Sequence, residues 1–205
     1  KIDPDDYTFS AAIDGCSDLQ KGRSIHANII DAGFEQYSIV GNALITMYSK
    51  CGSMVDARQI FNEMSVKDSV TWNTLIGGYA QHGWYQEALG CLEKMSLEGV
   101  VPNVISFVSL LDACGNINAL EEGITIHAEI ERQGFRERDD SSIGNALVDM
   151  YTKCGLLSIG QEIFSRLRNR SLVSWTALIA GYAKHGQGEK ALYCFENMQS
   201  HDVSP

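Results

Sequence analysis

The sequence contains the same pattern twice, about 100 residues apart. Residues 40–52 (VGNALITMYSKCG) and 143–155 (IGNALVDMYTKCG) are identical at nine of thirteen positions. Residues 72–83 (WNTLIGGYAQHG) and 175–186 (WTALIAGYAKHG) agree at eight of twelve positions, again at an offset of 103. An internal repeat of this kind constrains the fold strongly, because each copy must adopt the same local structure and pack against its neighbour.

Each of these two blocks divides into three smaller units with a helical pattern. The predicted boundaries give a tail of a preceding repeat at 1–5, followed by units 6–37, 38–68, 69–103, 104–140, 141–171 and 172–205. In one unit, Trp72, Leu75, Ile76 and Tyr79 fall at i, i+3, i+4 and i+7, which is one face of a helix. Gly83 follows where this helix should end, since glycine adopts the left-handed closing conformation at little cost. A second run with the same spacing follows Gly83, so each unit is predicted to be a helical hairpin.

The repeated hairpins predict the fold class. A hairpin of about 31 residues cannot bury its apolar face alone, so neighbouring hairpins must stack on one another. The sequence therefore predicts an all-α fold, an α-solenoid of about six stacked hairpins.

Charge and hydropathy exclude several functional classes. The 16 basic and 26 acidic residues give a net charge of −10, which argues against binding of nucleic acid through bulk positive charge. No apolar run approaches the roughly 18 residues that a membrane span needs, so no membrane association is expected. Because the chain begins at Lys1 without a signal-peptide pattern, we interpret it as an excised fragment whose targeting segment lies outside it.

The cysteines and histidines do not form a metal-binding or catalytic pattern. The six cysteines occupy equivalent places in the two blocks, as the pairs Cys16 and Cys114, Cys51 and Cys154, and Cys91 and Cys194, with no CxxC. Repetition of a small buried residue explains them better than a metal or disulfide framework. His127-Ala-Glu129 fits half of a zinc deaminase site, but the further cysteine ligands are missing. We therefore expect no enzymatic activity and no cofactor.

The units also resemble a known family. Residues 72–83 and unit lengths of 31 to 37 residues are similar to those of the pentatricopeptide repeat family. Units 69–103 and 172–205 resemble its standard repeat (the last unit lacking its final residue), 6–37 and 104–140 its long variant, and 38–68 and 141–171 its short variant. This alternation resembles the long–short–standard subclass found in plant organelle RNA-editing and processing factors. The resemblance implies a right-handed superhelix, location in a mitochondrion or chloroplast, and binding of single-stranded RNA at about one base per repeat.

The resemblance also assigns roles to single residues. The fifth and last residues of a unit would read the base edge, which gives Asn42 with Asp68, Asn73 with Asn103, Asn145 with Ser171, and Thr176, whose partner would follow Pro205. The second residue would grip the base, which gives Ile39, Val70, Ile105 and Val173, with Ser142 as an exception. The long units, with Ser10 and Val108 at the fifth position, would read poorly. The implied target is n-U-C-n-pyrimidine-purine, 5′ to 3′, parallel to the chain.

Three lysines at the ends of first helices, Lys50, Lys153 and Lys184, could contact phosphate or could complement the helix C-terminus. Asn42 and Asn145 could instead be helix N-caps, and so could Asp5, Asp68 and Asp140. Trp72 and Trp175 could stack on bases, but their phase with Leu75 and Leu178 favours the core.

A different class of function remains open on charge grounds. Acidic residues cluster in or next to one second helix and its following turn, at Glu121, Glu122, Glu129, Glu131, Glu137, Asp139 and Asp140. Solenoids with acidic outer surfaces also serve as scaffolds for proteins, so an adaptor protein is the alternative partner. The terminal units lack visible capping repeats, and exposed apolar faces there could drive self-association.

Overall fold

The structure is a computed structural model and describes residues 5–34, 37–136 and 140–200. Within these ranges the chain forms twelve α-helices and no strand. Their bounds are α1 Asp6–Asp14, α2 Leu19–Asp31, α3 Ser38–Lys50, α4 Met54–Glu63, α5 Ser69–Gln81, α6 Tyr85–Leu97, α7 Val104–Ile117, α8 Leu120–Arg132, α9 Ser141–Lys153, α10 Leu157–Arg166, α11 Leu172–Lys184 and α12 Gly188–Ser200. Consecutive helices pair into six hairpins, which confirms the all-α repeat fold.

The chain divides into two compact units, Lys1–Ser106 and Phe107–Pro205. In the first unit, α3 packs against α1 on one side and α5 on the other, so that the first helices of the hairpins form a continuous layer. In the second unit, α9 packs against α11 in the same way. The second helices α4, α6, α10 and α12 each pack on the first helix of their own hairpin. None of the helices in the described ranges has the length and hydrophobicity to cross a membrane.

A glycine closes most of the first helices, as the sequence predicts. Gly52 has φ +77° and Gly155 has φ +83°, a left-handed conformation that residues with a Cβ adopt only under strain. The Gly52 N–H donates to the Ser49 carbonyl at 2.8 Å, and the Ser53 N–H donates to the Tyr48 carbonyl at 2.8 Å. These two bonds satisfy the last carbonyls of α3 and reverse the chain for α4.

Histidine side chains at the ends of α5 and α11 tie these helices to α3 and α9. The His82 Nε2–H donates to the Ser49 carbonyl at 2.7 Å, and His185 makes the equivalent bond to the Thr152 carbonyl at 3.0 Å. Gly181 lets α11 approach α9 closely, because a Cβ there would lie 2.4 Å from the Thr152 Cβ. These contacts set the spacing of the first helices, which carry the predicted base-reading residues.

Trp72 and Trp175, the tryptophans that begin the repeated segments 72–83 and 175–186, lie in the core. Trp72 is 1% exposed, and its ring meets the Phe61 ring edge-on with centroids 4.6 Å apart. Trp175 and Phe164 repeat this arrangement at the same distance. The core assignment is confirmed, and the stacking of these rings on RNA bases is wrong, since a ring in this position has no face open to solvent.

Candidate nucleic-acid interface

The fifth residue of the third hairpin and the last residue of its unit meet through their side chains. The Asn73 Nδ2–H donates to Asn103 Oδ1 at 3.1 Å, and the Ser106 hydroxyl donates to Asn73 Oδ1. Asn103 Oδ1 also accepts from the backbone N–H groups of Ile105, at 3.0 Å, and of Ser106, at 3.3 Å, and so caps α7. Since its oxygen is engaged in these bonds, Asn103 can offer a ligand its amide nitrogen, which is a donor.

The second unit contains an equivalent pair. The Asn145 Nδ2–H donates to Ser171 Oγ at 3.2 Å, and Ser171 Oγ accepts from the Ser174 N–H at 3.3 Å, which caps α11. Asn145 Oδ1 is buried without a hydrogen-bond partner, as is Asn42 Oδ1 in the first unit. In these two repeats, the last residue caps the next first helix and touches the fifth-position side chain.

The remaining predicted readers are placed differently. Asp68 caps α5 by accepting from the Thr71 N–H at 2.9 Å, and Asn42 lies half-buried in α3. Thr176 is exposed on α11, and the position of its partner lies outside the described residues. The structure thus brings together two of the predicted pairs, Asn73 with Asn103 and Asn145 with Ser171.

The N-cap interpretation is wrong for the two asparagines and confirmed for the three aspartates. Asn42 and Asn145 are not N-caps, because each is the fifth residue of its helix, α3 or α9. The N-cap interpretation of Asp5, Asp68 and Asp140 is confirmed, since each accepts a hydrogen bond from a backbone N–H in the first turn of α1, α5 or α9.

The predicted gripping residues point to solvent. Each is the second residue of its first helix, and the exposed fractions are 39% for Ile39, 57% for Val70, 62% for Ile105 and 61% for Val173. Ser142, at the same place in α9, is also exposed. Single exposed apolar residues are common, but these four recur at the same position of successive first helices, which is the arrangement that the resemblance predicts.

In the second compact unit, Phe107–Pro205, the predicted base-reading and gripping positions line one groove between α7, α9 and α11. Its volume is about 790 Å³. Its walls include Asn145, Lys153, Val173 and Thr176, which the resemblance assigns to base or phosphate contacts. They also include Val108 and Ser142, which occupy fifth and second positions but are predicted to hold a base poorly. Alongside its charged residues, the groove presents apolar and uncharged hydrogen-bonding side chains on successive first helices, which suits a stacked series of nucleobases.

The groove also carries two carboxylates, Asp112 and Asp149, that the sequence analysis did not assign to it. Lys153 Nζ lies 2.5 Å from Asp149 Oδ2 and donates to Asn116 Oδ1 at 3.0 Å. Burial raises the pKa of Asp112, and the negative charge of Asp149 raises it further, while Lys153 opposes both. The spacing of four residues between Asp149 and Lys153 is the sequence signal that could have predicted this ion pair.

The other two predicted phosphate-contacting lysines also lie at helix ends. Lys184 Nζ donates to the Lys153 carbonyl at 3.2 Å, which supports the alternative that it complements the C-terminus of α9. Lys50 is the last residue of α3 and is exposed.

The His-x-Glu segment has a structural explanation. His127 Nδ1 is hydrogen-bonded to the Tyr151 hydroxyl at 2.9 Å, and His26 makes the equivalent bond to Tyr48 at 2.9 Å. Glu129 accepts from Arg132 at 2.6 Å. Burial raises the pKa of the Cys114 thiol to about 12, which keeps it protonated at neutral pH. Across residues 5–34, 37–136 and 140–200, no three His, Cys, Asp or Glu side chains converge on a common point.

Comparison with known proteins places these hairpins in a family. A model of the PPR repeat family matches residues 67–116, and a model of the PPR repeat matches residues 42–69, 145–172 and 173–203. A pentatricopeptide repeat-containing protein of Arabidopsis thaliana is 37% identical over 100% of this chain and 28% of its own length. Others from the same plant, named as chloroplastic and mitochondrial, are 35% and 39% identical over 100% and 98% of the chain. The chain spans 28% and 20% of the lengths of these two relatives.

Solved structures show the same architecture. The crystal structure of the pentatricopeptide repeat protein PPR10 from maize matches 98% of this chain and 30% of that protein, with a TM-score of 0.70 and 26% identity. PPR10 in complex with an 18-nt psaJ RNA element matches 99% of this chain and 41% of that protein, with a TM-score of 0.50 and 18% identity. At 18% identity the second match shows the fold alone.

Proposed function

The chain belongs to the pentatricopeptide repeat family, and on this premise we propose that it binds single-stranded RNA along its first helices, with about one base for each hairpin. The observation that carries this proposal is the contact between fifth and last residues. It joins Asn73 to Asn103 at 3.1 Å in the first unit and Asn145 to Ser171 at 3.2 Å in the second. Two separate hairpins thus present a pair of polar groups at the same place.

The surroundings of each pair match the chemistry of a nucleobase. A base has an apolar face and a polar edge, and single-strand binders hold it by the face and read the edge. Here the exposed second-position side chains, such as Val70 and Ile105, supply apolar contact beside the amides. Amide and hydroxyl groups supply donors and acceptors without net charge. This explains how an acidic chain can bind RNA with little bulk positive charge.

The proposed target is n-U-C-n-pyrimidine-purine, 5′ to 3′, parallel to the chain. Asn42 with Asp68 favours U, Asn73 with Asn103 favours C, Asn145 with Ser171 a pyrimidine, and Thr176 a purine. The donor that Asn103 can present fits the N3 acceptor of cytosine and opposes the N3–H of uracil. Unit 141–171 should hold its base less firmly, because Ser142 replaces the apolar gripping residue there.

The biological setting follows from the relatives. Proteins that match this chain are named as chloroplastic and mitochondrial, so we propose that this chain acts in one of these organelles. The proposed alternation of long, short and standard units favours the recognition module of an RNA-editing or processing factor. In that role the chain selects the transcript, and it is not itself the enzyme.

Fluorescence anisotropy tests the RNA-binding proposal. An RNA that contains the hexamer is compared with a permuted RNA of equal composition at two salt concentrations. We expect tighter binding of the hexamer, and loss of that preference in the double variant Asn73→Ala/Asn145→Ala. The double variant Asn28→Ala/Asn62→Ala changes exposed asparagines on the second helices α2 and α4, away from the pairs, and serves as the control. Equal affinity for both RNAs in the wild-type protein would count against base reading.

One observation favours an adaptor protein as a second partner. Helix α8 contains four glutamates and a single arginine, Arg132; the glutamates are Glu121, Glu122, Glu129 and Glu131. Its Ile124 is 45% exposed. An acidic helix with an exposed apolar residue suits a basic protein surface. If α8 serves a protein, charge reversal at Glu121 and Glu131 should leave RNA affinity within about two-fold, because α8 lies outside the groove.

We also propose that two copies of the chain associate through α12. Leu192 and Tyr193 on α12 are 65% and 67% exposed. Light scattering over a range of protein concentrations tests whether this face drives association. A Leu192→Glu variant should then have a lower average mass than the wild-type protein.

A further inference from the structure

Helices α3 and α9, which match at an offset of 103, differ in charge at one position. With the offset of 103, Lys153 corresponds to Lys50, and Asp149 corresponds to Thr46. The Thr46 hydroxyl donates to the Asn42 carbonyl of its own helix at 2.9 Å, so the residue at this place in the first block is neutral. The second block places a carboxylate there, one helical turn before the lysine.

Two contacts hold the ammonium group of Lys153 at the wall of the groove. Its Nζ lies 2.5 Å from Asp149 Oδ2 and 3.0 Å from Asn116 Oδ1. The side chains of Lys153 and Asp149 are 34% and 27% exposed, so the pair is only partly screened by solvent. All three residues line the same groove as Asn145 and Thr176.

A second carboxylate belongs to this cluster. Asp112 enters the groove from α7, and its pKa is raised by burial and by Asp149. The charged groups that face it come from α9, namely Asp149 and Lys153. The side chains of α11 that line the groove, Leu172, Val173, Thr176, Ala177 and Ala180, are neutral. The groove lining therefore carries two carboxylates against one ammonium group.

We propose that Asp149, assisted by Asp112, acts as an electrostatic gate on RNA binding in the second unit. Asp149 holds Lys153 away from phosphate, so an RNA strand must displace a carboxylate before it gains that contact. The inference rests on the proposed RNA-binding function and assigns a regulatory role to residues of the same groove. Asp149 acts through Lys153 and is a positioning residue.

The gate predicts a particular dependence on pH. An RNA phosphate brought near Asp112 favours the protonated carboxyl, because two negative charges repel each other. Binding is then linked to proton uptake, so affinity should rise as pH falls towards the raised pKa of Asp112. An Asp112→Asn variant should flatten this rise.

Salt titrations of RNA affinity test the gate with matched variants. Asp149→Thr installs the residue of the first block, and Asp149→Asn removes the charge alone. Each should bind the hexamer RNA about three- to ten-fold more tightly than wild type at low salt. The slope of log K against log salt should steepen by about 0.7, which is the value for one added phosphate contact on a single strand. Glu131→Gln removes an exposed charge on α8 and is the control.

A double variant tests whether the gain in RNA affinity depends on Lys153. Lys153→Met in the Asp149→Asn background should abolish both the added affinity and the added slope. If wild type binds RNA and Asp149→Asn behaves like Glu131→Gln, the gate is wrong and the RNA-binding proposal stands. If no variant with a normal thermal melt binds RNA, the RNA-binding proposal fails and the gate fails with it.

Discussion

The change Asn103→Asp should switch the base preference of one hairpin from cytosine to uracil. Asn103 Oδ1 accepts from Asn73, Ile105 and Ser106, so its amide nitrogen is the group left for a base. An aspartate can keep these bonds through one oxygen and present its second oxygen, an acceptor, in place of the nitrogen. Asp68 shows that aspartate is tolerated at this place in a unit, since it caps α5.

The size of the switch follows from one hydrogen bond at the base edge. Cytosine N3 accepts from the amide of Asn103, whereas uracil N3–H faces it donor to donor. A net hydrogen bond contributes about 1 kcal/mol, and an unpaired polar group costs about 1–3 kcal/mol. Asn103 is half-buried, so the lower end of this range applies. The ratio of affinities for C over U should fall by about ten-fold or more, because 1.4 kcal/mol corresponds to a factor of ten.

Anisotropy titrations measure this ratio directly. Two RNAs that differ only in C or U at the third base of the hexamer are titrated with wild type and with Asn103→Asp. Asn62→Asp adds the same charge at an exposed site on α4 and should leave the ratio unchanged. The reasoning is refuted if Asn103→Asp melts normally and keeps the wild-type C-to-U ratio.

Three further predictions concern stability. Trp72→Ala should lower the free energy of unfolding by about 3–5 kcal/mol, since it removes a core ring that is 1% exposed; chemical denaturation measures this. Asp68→Ala should cost about 1 kcal/mol through loss of the α5 cap, whereas Asp68→Asn should melt like wild type. The hydrogen bond from Arg23 lowers the pKa of Asp56 in the folded protein. The pair therefore stabilises the fold fully above the pKa of an unfolded aspartate, about 3.9. This stabilisation is lost as pH falls through the lower pKa of the folded state. Thermal melts of Asp56→Asn between pH 3 and pH 6 should therefore depend less on pH than those of wild type.

The fold could be predicted from the sequence because its information is repeated. The segment from Val40 to Gly52 and its copy at Ile143 both carry apolar residues at helical spacing and end on a glycine. Each signal therefore appears at least twice, and chance agreement is improbable. The core position of Trp72 follows from the same periodicity, since a residue in phase with Leu75 must face the neighbouring helix.

The site was predicted less completely, because its contacts join residues from different helices. Periodicity places Asn73 and Asn103 near each other, but it does not show that Ser106 completes the pair. The same limit explains the error at Asn42 and Asn145, which follow a glycine and yet lie inside their helices. The α9 and α3 helices begin four residues earlier, at Ser141 and Ser38.

The sequence does not predict the carboxylates that line the groove. The position of Lys153 at the end of a helix allows it to contact phosphate or to complement the helix C-terminus, whereas its ammonium group lies 2.5 Å from Asp149 in the structure. The spacing in the sequence allows this pair, but many surface pairs at that spacing contribute little. The contribution of Asp112 depends on α7 packing beside α9, which no local pattern encodes.

Site-specific crosslinking tests most directly whether the first helices read RNA in order. One hexamer RNA carries 4-thiouridine at the second base, and another carries it at the fifth base. Mass spectrometry should map the first crosslink to residues 38–50 of α3 or to the start of α5, and the second to α9 or to the start of α11. Crosslinks on the second helices, or the same crosslinks from both RNAs, would contradict the account.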